Sequence, residues 1–267
     1  MRMLISRVKR IRVKIRTWIA YVGTGHHCPV CNRSMRSFMP SRVTAGQSVV
    51  DRYKIVSMGS RKQMQCPWCG ASDKERLVYL YLKTHTDIFT SSSDVLHIAP
   101  EKNLMRLLRN RPTGTYIAGD KFEGDPRYLD GRYGDAISMD VTDLPSEDNN
   151  FDYIICNHVL EHVLDDARAM SEIYRVLKPG GLAILQVPVT RETKVSIEDA
   201  NVSEPEDRIR VFGQADHVRI YAEAEYILRL TQAGFTVSSQ TAKELFTNEE
   251  CERFGLSLRE AVYVARK

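Results

Sequence analysis

Four cysteines stand in two pairs, Cys28-Pro-Val-Cys31 and Cys66-Pro-Trp-Cys69-Gly70. A two-residue interval within a tight turn aims both thiolates of a pair at one point, and Gly70 lets backbone N–H groups turn toward sulfur. Two such turns complete a closed four-thiolate site with metal–sulfur distances of about 2.3 Å, the geometry of a structural Zn2+ ribbon. Two disulfides or a redox pair are the competing reading. Lone Cys156 and Cys251, and the lack of a recognisable secretory leader, point instead to a reducing, cytoplasmic setting where disulfides are rare. His26 and His27 adjoin the first pair but are expected to be loop residues, since four thiolates already suffice.

A second set of chemistry-bearing residues sits at the ends of apolar runs. Asp120 follows Tyr116-Ile-Ala-Gly, Asp140 follows Ala136-Ile-Ser-Met, and Asn157-His158 follows Tyr153-Ile-Ile-Cys156. His158-Val-Leu-Glu161-His162 also matches an inverted zinc-protease pattern, but that chemistry needs a helix, and here the residues directly follow an apolar strand. Glu161 and His162 are open to two readings, a divalent-ion pair or residues that orient a loop. His217, in Phe212-Gly-Gln-Ala-Asp-His217-Val-Arg-Ile-Tyr221, is the candidate general base, because only histidine ordinarily titrates near neutrality. Asp216 or Asp207 would orient it, and Arg208, Arg210 and Arg219 are candidates to pair with an anionic acceptor.

The elements that must position these groups alternate. Val95–Ala99 reads as a strand, Leu104–Leu108 as helix, Tyr116–Ala118 as strand, Ala136–Met139 as a short strand and Tyr153–Cys156 as a buried strand. A helix over 165–177 ends at Lys178-Pro-Gly-Gly181, and Leu182–Val189 is a buried strand. Tyr221–Leu230 reads as helix, with strands near Phe235–Ser238 and Ala261–Ala265. Strand–helix alternation implies an α/β fold with a parallel sheet, whose ligands bind at the carboxyl ends of the strands. Residues 190–221 form a polar insertion expected to lie over those ends and cover the acceptor.

Residues 140–188 resemble the class I S-adenosylmethionine-dependent methyltransferases, specifically the group often called type 11. The likeness is carried by Asp140-Val-Thr-Asp-Leu-Pro145, Asn150-Phe-Asp152, Asn157-His-Val-Leu-Glu-His-Val163, Glu172-Ile-Tyr-Arg-Val-Leu-Lys-Pro-Gly-Gly181 and Val187-Pro188. Cys66-Pro-Trp-Cys69 running into Glu75-Arg-Leu-Val-Tyr-Leu-Tyr81 looks like a subgroup that prefixes this domain with zinc knuckles. The resemblance implies a Rossmann-like sheet of seven strands, the last antiparallel, and S-adenosylmethionine as cofactor. It places Asp120 at the ribose hydroxyls, Asp140 at the adenine amino group with the Val141 N–H at a ring nitrogen, and Asn157 and His158 along the methionine end. The family's first loop is glycine-rich, whereas here it is His97-Ile-Ala99-Pro-Glu101. Ala99 is small enough for close approach, and Glu101 is a candidate for the cofactor's ammonium group.

The division expected is a basic amphipathic segment (1–24), a zinc ribbon (25–76) and a methyltransferase domain (77–267). The whole chain of 267 residues carries +4, but residues 1–20 hold seven cations and no acid, leaving the rest at −3. Leu4, Val8, Ile11, Ile15, Trp18 and Val22 form one apolar stripe. That stripe fits docking on the protein itself, peripheral membrane contact through residues 1–22, or a targeting or nucleic-acid contact. No apolar run is long enough to span a membrane. The expected function is methyl transfer to a hydroxyl or amine of a small polar or glycan-type acceptor. RNA methylation is the rival within that class, weakened by the acidic body, and a catalytically inactive zinc-ribbon adaptor is the rival outside it.

Overall fold

The computed structural model describes residues 16–43, 45–111, 113–121 and 136–267. Strands β1 (His26–Cys28) and β2 (Arg33–Met35) form an antiparallel hairpin, and β3 (Met39–Ser41) pairs antiparallel with β4 (Arg61–Gln65) across helix α1 (Gln47–Tyr53). Helix α2 (Asp73–His85) follows the second cysteine pair. Its start is set by Ser72, whose hydroxyl accepts the Glu75 N–H at 3.1 Å, with Asp73 and Glu75 at the positive end and Lys83 and His85 at the negative end.

The remainder alternates: β5 (Val95–Ile98), α3 (Lys102–Arg109), β6 (Tyr116–Asp120), β7 (Ile137–Ser138), β8 (Phe151–Asn157), α4 (Asp166–Val176) and β9 (Leu177–Gln186). After β10 (Val189–Thr190), β11 (Ile197–Glu198), α5 (Pro205–Phe212) and β12 (Arg219–Ala222) come α6 (Glu223–Gln232), β13 (Thr236–Thr241), α7 (Ala242–Leu245), α8 (Asn248–Phe254) and β14 (Ala261–Arg266). The main sheet has seven strands in the order β13-β14-β9-β8-β5-β6-β7. β14, the last in sequence, runs antiparallel to both neighbours, while β5 to β9 are parallel, as the resemblance implied. Side chains alternate between two cores. Leu96, Ile154 and Leu185 face one side with Ile173 of α4 and Tyr226 of α6, and Val95, Ile155 and Ile184 face the other with Leu77 of α2 and Leu104 of α3.

Two findings differ from the sequence expectations. Tyr221 belongs to a strand, and the helix begins at Glu223, because Ile220 and Tyr221 are fully buried while β12 pairs with β10 on one side and β11 on the other. The 190–221 insertion is therefore a small three-stranded sheet plus α5 rather than a loop. The segment between the cysteine pairs, placed whole in the zinc ribbon, is shared between two clusters: Met35 and Phe38 pack with Cys28 and Cys66, while Val49 and Val50 of α1 join Ile55, Phe212 and Ile220.

Arg76 ties the N-terminal part to the C-terminal helices. Fully buried, it donates to the carbonyls of Gln63, Met64, Ala71, Phe254 and Gly255 and lies 3.8 Å above the Phe38 ring. Residues 16–21 are helical, with Trp18 and Ile19 exposed; the first part of the basic stripe, residues 1–15, lies outside the described residues. Among the described residues no helix is long and apolar enough to cross a membrane.

Candidate functional site

The four cysteines converge. Cys28 Sγ lies 3.8 Å from Cys69 Sγ, and Cys31 Sγ lies 3.8 Å from Cys66 Sγ. All four fall within 4.8 Å of one another. A tetrahedron with arms of about 2.3 Å has edges of about 3.8 Å, whereas a disulfide needs about 2.05 Å, so the cluster fits a metal and not a pair of disulfides. The N–H groups of Trp68 and Ala71 point at the Cys66 and Cys69 sulfurs (3.4 and 3.5 Å), in the second pair, where Gly70 was expected to let such donors turn toward sulfur. His26 binds the Glu252 carbonyl and His27 the Ser34 hydroxyl, so neither competes for the cluster.

A cleft of about 800 Å³ opens at the carboxyl ends of β5, β6, β7 and β8. Ala99, Asp120, Asp140, Val141 and His158 all line it. Ala99 takes the left-handed conformation (φ 50°) that glycine normally supplies, its N–H bonded to the Gly119 carbonyl at 2.8 Å. The glycine-free loop thus makes the same turn with a methyl group, at a cost of about 1 kcal/mol. Asp140 is held well below the usual carboxylate range, at about 2, by the Lys121 ammonium on one oxygen (2.8 Å) and the Thr142 N–H and hydroxyl on the other. Asp120 accepts the Lys121 N–H at 2.8 Å.

Beneath the cleft, His97 is fully buried, with Nδ1 against the Tyr116 hydroxyl (2.9 Å) and Nε2 against Glu101 (2.8 Å). Asn157 donates to the other Glu101 oxygen at 2.9 Å, leaving its own Oδ1 buried without a partner. Glu101 is kept ionised by these two neighbours, and it braces the ends of β5 and β8.

A second cavity, about 510 Å³, lies beside the first and shares His158, His162 and Gln214 with it. Its other walls come from three places: the N-terminal part (Val50, Ser57, Met58, Arg61), Lys74 of α2, and the insertion (Ile209, Gly213, His217). Glu161, buried on its floor, is pulled down to about 2 by His158, His162 and His217 despite its desolvation. His217 is 2% exposed, and burial lowers it to about 4, so the ring is neutral at pH 7.

Within this frame, residues 104–185 match the family described as methyltransferase domain. The likeness to a methyltransferase domain is carried by that stretch. A demethylmenaquinone methyltransferase from Staphylococcus carnosus (strain TM300) is 47% identical over 48 residues, 18% of this chain and 20% of that protein. A ubiquinone/menaquinone biosynthesis C-methyltransferase from Geotalea daltonii is 28% identical over 108 residues, 37% of this chain and 43% of that protein. The chain thus spans between a fifth and a half of the length of these relatives. An S-adenosylmethionine-dependent methyltransferase structure from Mesorhizobium loti superposes with a TM-score of 0.52 at 12% identity, covering 73% of this chain and 98% of that one, which is a likeness of fold.

The structure brings Ala99, Asp120, Asp140, Val141 and His158 to one cleft and puts His97, Glu101 and Asn157 just beneath it. His217 is in the neighbouring cavity, but its expected orienters are elsewhere: Asp216 faces His162, and Asp207 pairs with Arg210 on the exposed side of α5. Arg219 does not reach an acceptor. It is 5% exposed and donates to the carbonyls of Leu160, Val163 and Leu164 and to Glu198. Sequence reasoning did not single out Lys121, Lys74 or Ser57, because only the fold brings each of them to its cavity.

Proposed function

We propose that the protein is an S-adenosylmethionine-dependent methyltransferase acting on a small hydroxyl- or amine-bearing acceptor. The observation that carries this reading is the junction of the two cavities at His158 and His162: one has the strand-end carboxylates of a nucleoside site, and the other is a partly apolar chamber beside it. The cofactor residues fit. Asp120 and Asp140 stand at the ends of adjacent strands as acceptors, Ala99 provides a close-passing backbone, and the orphaned Asn157 Oδ1 and His158 Nε2 are polar atoms in want of a partner. Bound there, S-adenosylmethionine would supply a methyl group on a sulfonium centre. The chain's part is to align an acceptor with that centre and to keep water out. Lys121, exposed over most of its side chain, must swing off Asp140 to admit an adenine amino group.

A cavity of about 510 Å³ lies in the ordinary range for small ligands, which favours a compact acceptor over a nucleic-acid strand. The Cys28, Cys31, Cys66 and Cys69 cluster would hold a structural Zn2+ ion that fixes the fold of the N-terminal part. Calorimetric titration of the full chain with S-adenosylmethionine tests the reading. Saturable binding is expected in the wild type and a loss of at least tenfold in affinity in Asp140→Ala; absence of binding by folded wild-type protein refutes it.

A further inference from the structure

Glu161, His162 and His217 lie together in the wall of the second cavity, one donor atom from each within 4.8 Å of the others. The geometry points to a second metal site, in which these three side chains bind a divalent transition-metal ion whose remaining positions open onto the acceptor cavity.

The arrangement around each donor supports that assignment. His162 Nδ1 lies 3.1 Å from the Asp216 carbonyl oxygen, which can only accept, so Nδ1 carries the proton and Nε2 presents its lone pair. Nε2 is the atom that faces Glu161, 4.0 Å from Oε1. A histidine whose second nitrogen donates to a carbonyl is the usual posture of a metal-ligating imidazole, because the outer bond fixes both tautomer and ring angle. The His217 ring stands edge-on to His162, centroids 4.7 Å apart and planes at 88°, so two imidazoles approach one point from different directions. Independently of the cluster itself, Glu161 is 1% exposed and its Oε2 has no hydrogen-bond partner, although a buried carboxylate oxygen normally finds one. A cation at this position satisfies it.

The site is also built rather than incidental. The Val218 N–H donates to the Glu161 carbonyl at 2.9 Å, and Arg219 clamps the carbonyls on either side, so the insertion and the turn after β8 are locked with their donors face to face. Two imidazoles and one carboxylate form a three-donor set suited to Zn2+, Co2+ or Fe2+, with open positions for an outside ligand. The metal site stands on its own. Its use rests on the methyl-transfer reading, under which the ion would hold an oxygen of the acceptor, selecting a hydroxyl- or carboxylate-bearing molecule over a simple amine.

Metal content of the untagged full-length chain tests this. After equilibration with Zn2+ and removal of loosely held ions, the wild type is expected to retain about two equivalents, one in the cysteine cluster and one here. His162→Ala, His217→Ala and Glu161→Gln should each retain about one. Should a buried-site variant fail to fold, His162→Ala remains decisive, since that side chain is 29% exposed. Substitution with Co2+ separates the two sites, because thiolate charge-transfer absorption reports the cysteine cluster and should persist in all three variants. One equivalent in the wild type with that absorption saturated, or two in His162→Ala, would overturn the proposal. Calorimetry of the wild type with S-adenosylmethionine is a separate readout, so failure of the methyl-transfer reading and failure of the metal site are told apart.

Discussion

The Val218 N–H donates to the Glu161 carbonyl oxygen at 2.9 Å, joining the insertion to the turn that follows the fourth parallel strand. That single bond spans 57 residues of sequence and sets His217 beside His162. It is reinforced by Arg219, one residue on, whose guanidinium occupies the carbonyls of Leu160, Val163 and Leu164 and pairs with Glu198.

Removing that guanidinium should therefore be costly. Arg219→Ala takes the guanidinium from the Val163 and Leu164 carbonyls, leaves the Leu160 carbonyl to the Val163 N–H and the Tyr221 hydroxyl, and leaves Arg229 as the cation beside Glu198 and Asp166. The expected loss is about 3–5 kcal/mol, read as a drop in the urea midpoint. Arg219→Lys should recover only part of it, because a single ammonium cannot serve three carbonyls and a carboxylate at once. A loss below about 1 kcal/mol in the alanine variant would show that the clamp is dispensable.

Glu75 makes stability depend on pH in an unusual direction. It is 6% exposed and receives the Leu104 N–H and the Asn103 amide at the start of α3, yet burial and the neighbouring Glu101 raise it from 4.5 to about 7. The folded protein holds this proton more tightly than the unfolded chain does. Its contribution is therefore full below about pH 4.5 and declines as pH rises toward 7. Glu75→Gln should change stability little at pH 5 and gain on the wild type at pH 8 by on the order of 1–3 kcal/mol. Denaturation midpoints at both pH values measure this, and an offset independent of pH would contradict it.

Gly46 and Gly213 hold the roof of the second cavity in place. Gly46 (φ 73°) precedes α1, Gly213 (φ 86°) ends α5, and a Cβ on Gly46 would sit 1.9 Å from the Gly213 carbonyl oxygen. Gly46→Ala should push α1 off α5 and cost about 2–3 kcal/mol through clash and backbone strain together. Faster amide exchange confined to residues 47–53 and 205–212 would be its signature.

Ala99 makes the opposite prediction. With φ at 50° it carries a strain that glycine would not, so Ala99→Gly should stabilise by about 0.5–1 kcal/mol even though it loosens the unfolded chain. A stability loss on this substitution would mean that the methyl group packs favourably enough to outweigh the strained backbone.

The sequence determined everything that depends on spacing along the chain. Cysteines with two residues between them must converge locally, apolar runs of strand length followed by helical stretches must build a parallel sheet, and acids at the ends of those runs must meet at the carboxyl edge. Asp120, Asp140 and Ala99 do share one cleft for that reason. Sequence could not decide the partners of long-range polar groups. Arg219 is written like a surface cation and is buried, Asp216 orients His162 rather than His217, and Val50, Ser57, Met58 and Arg61, between the two cysteine pairs, wall the same cavity as His217. These outcomes follow from the rule that every buried charge and carbonyl must find a partner in three dimensions. Only the assembled fold fixes which ones are near enough to pair.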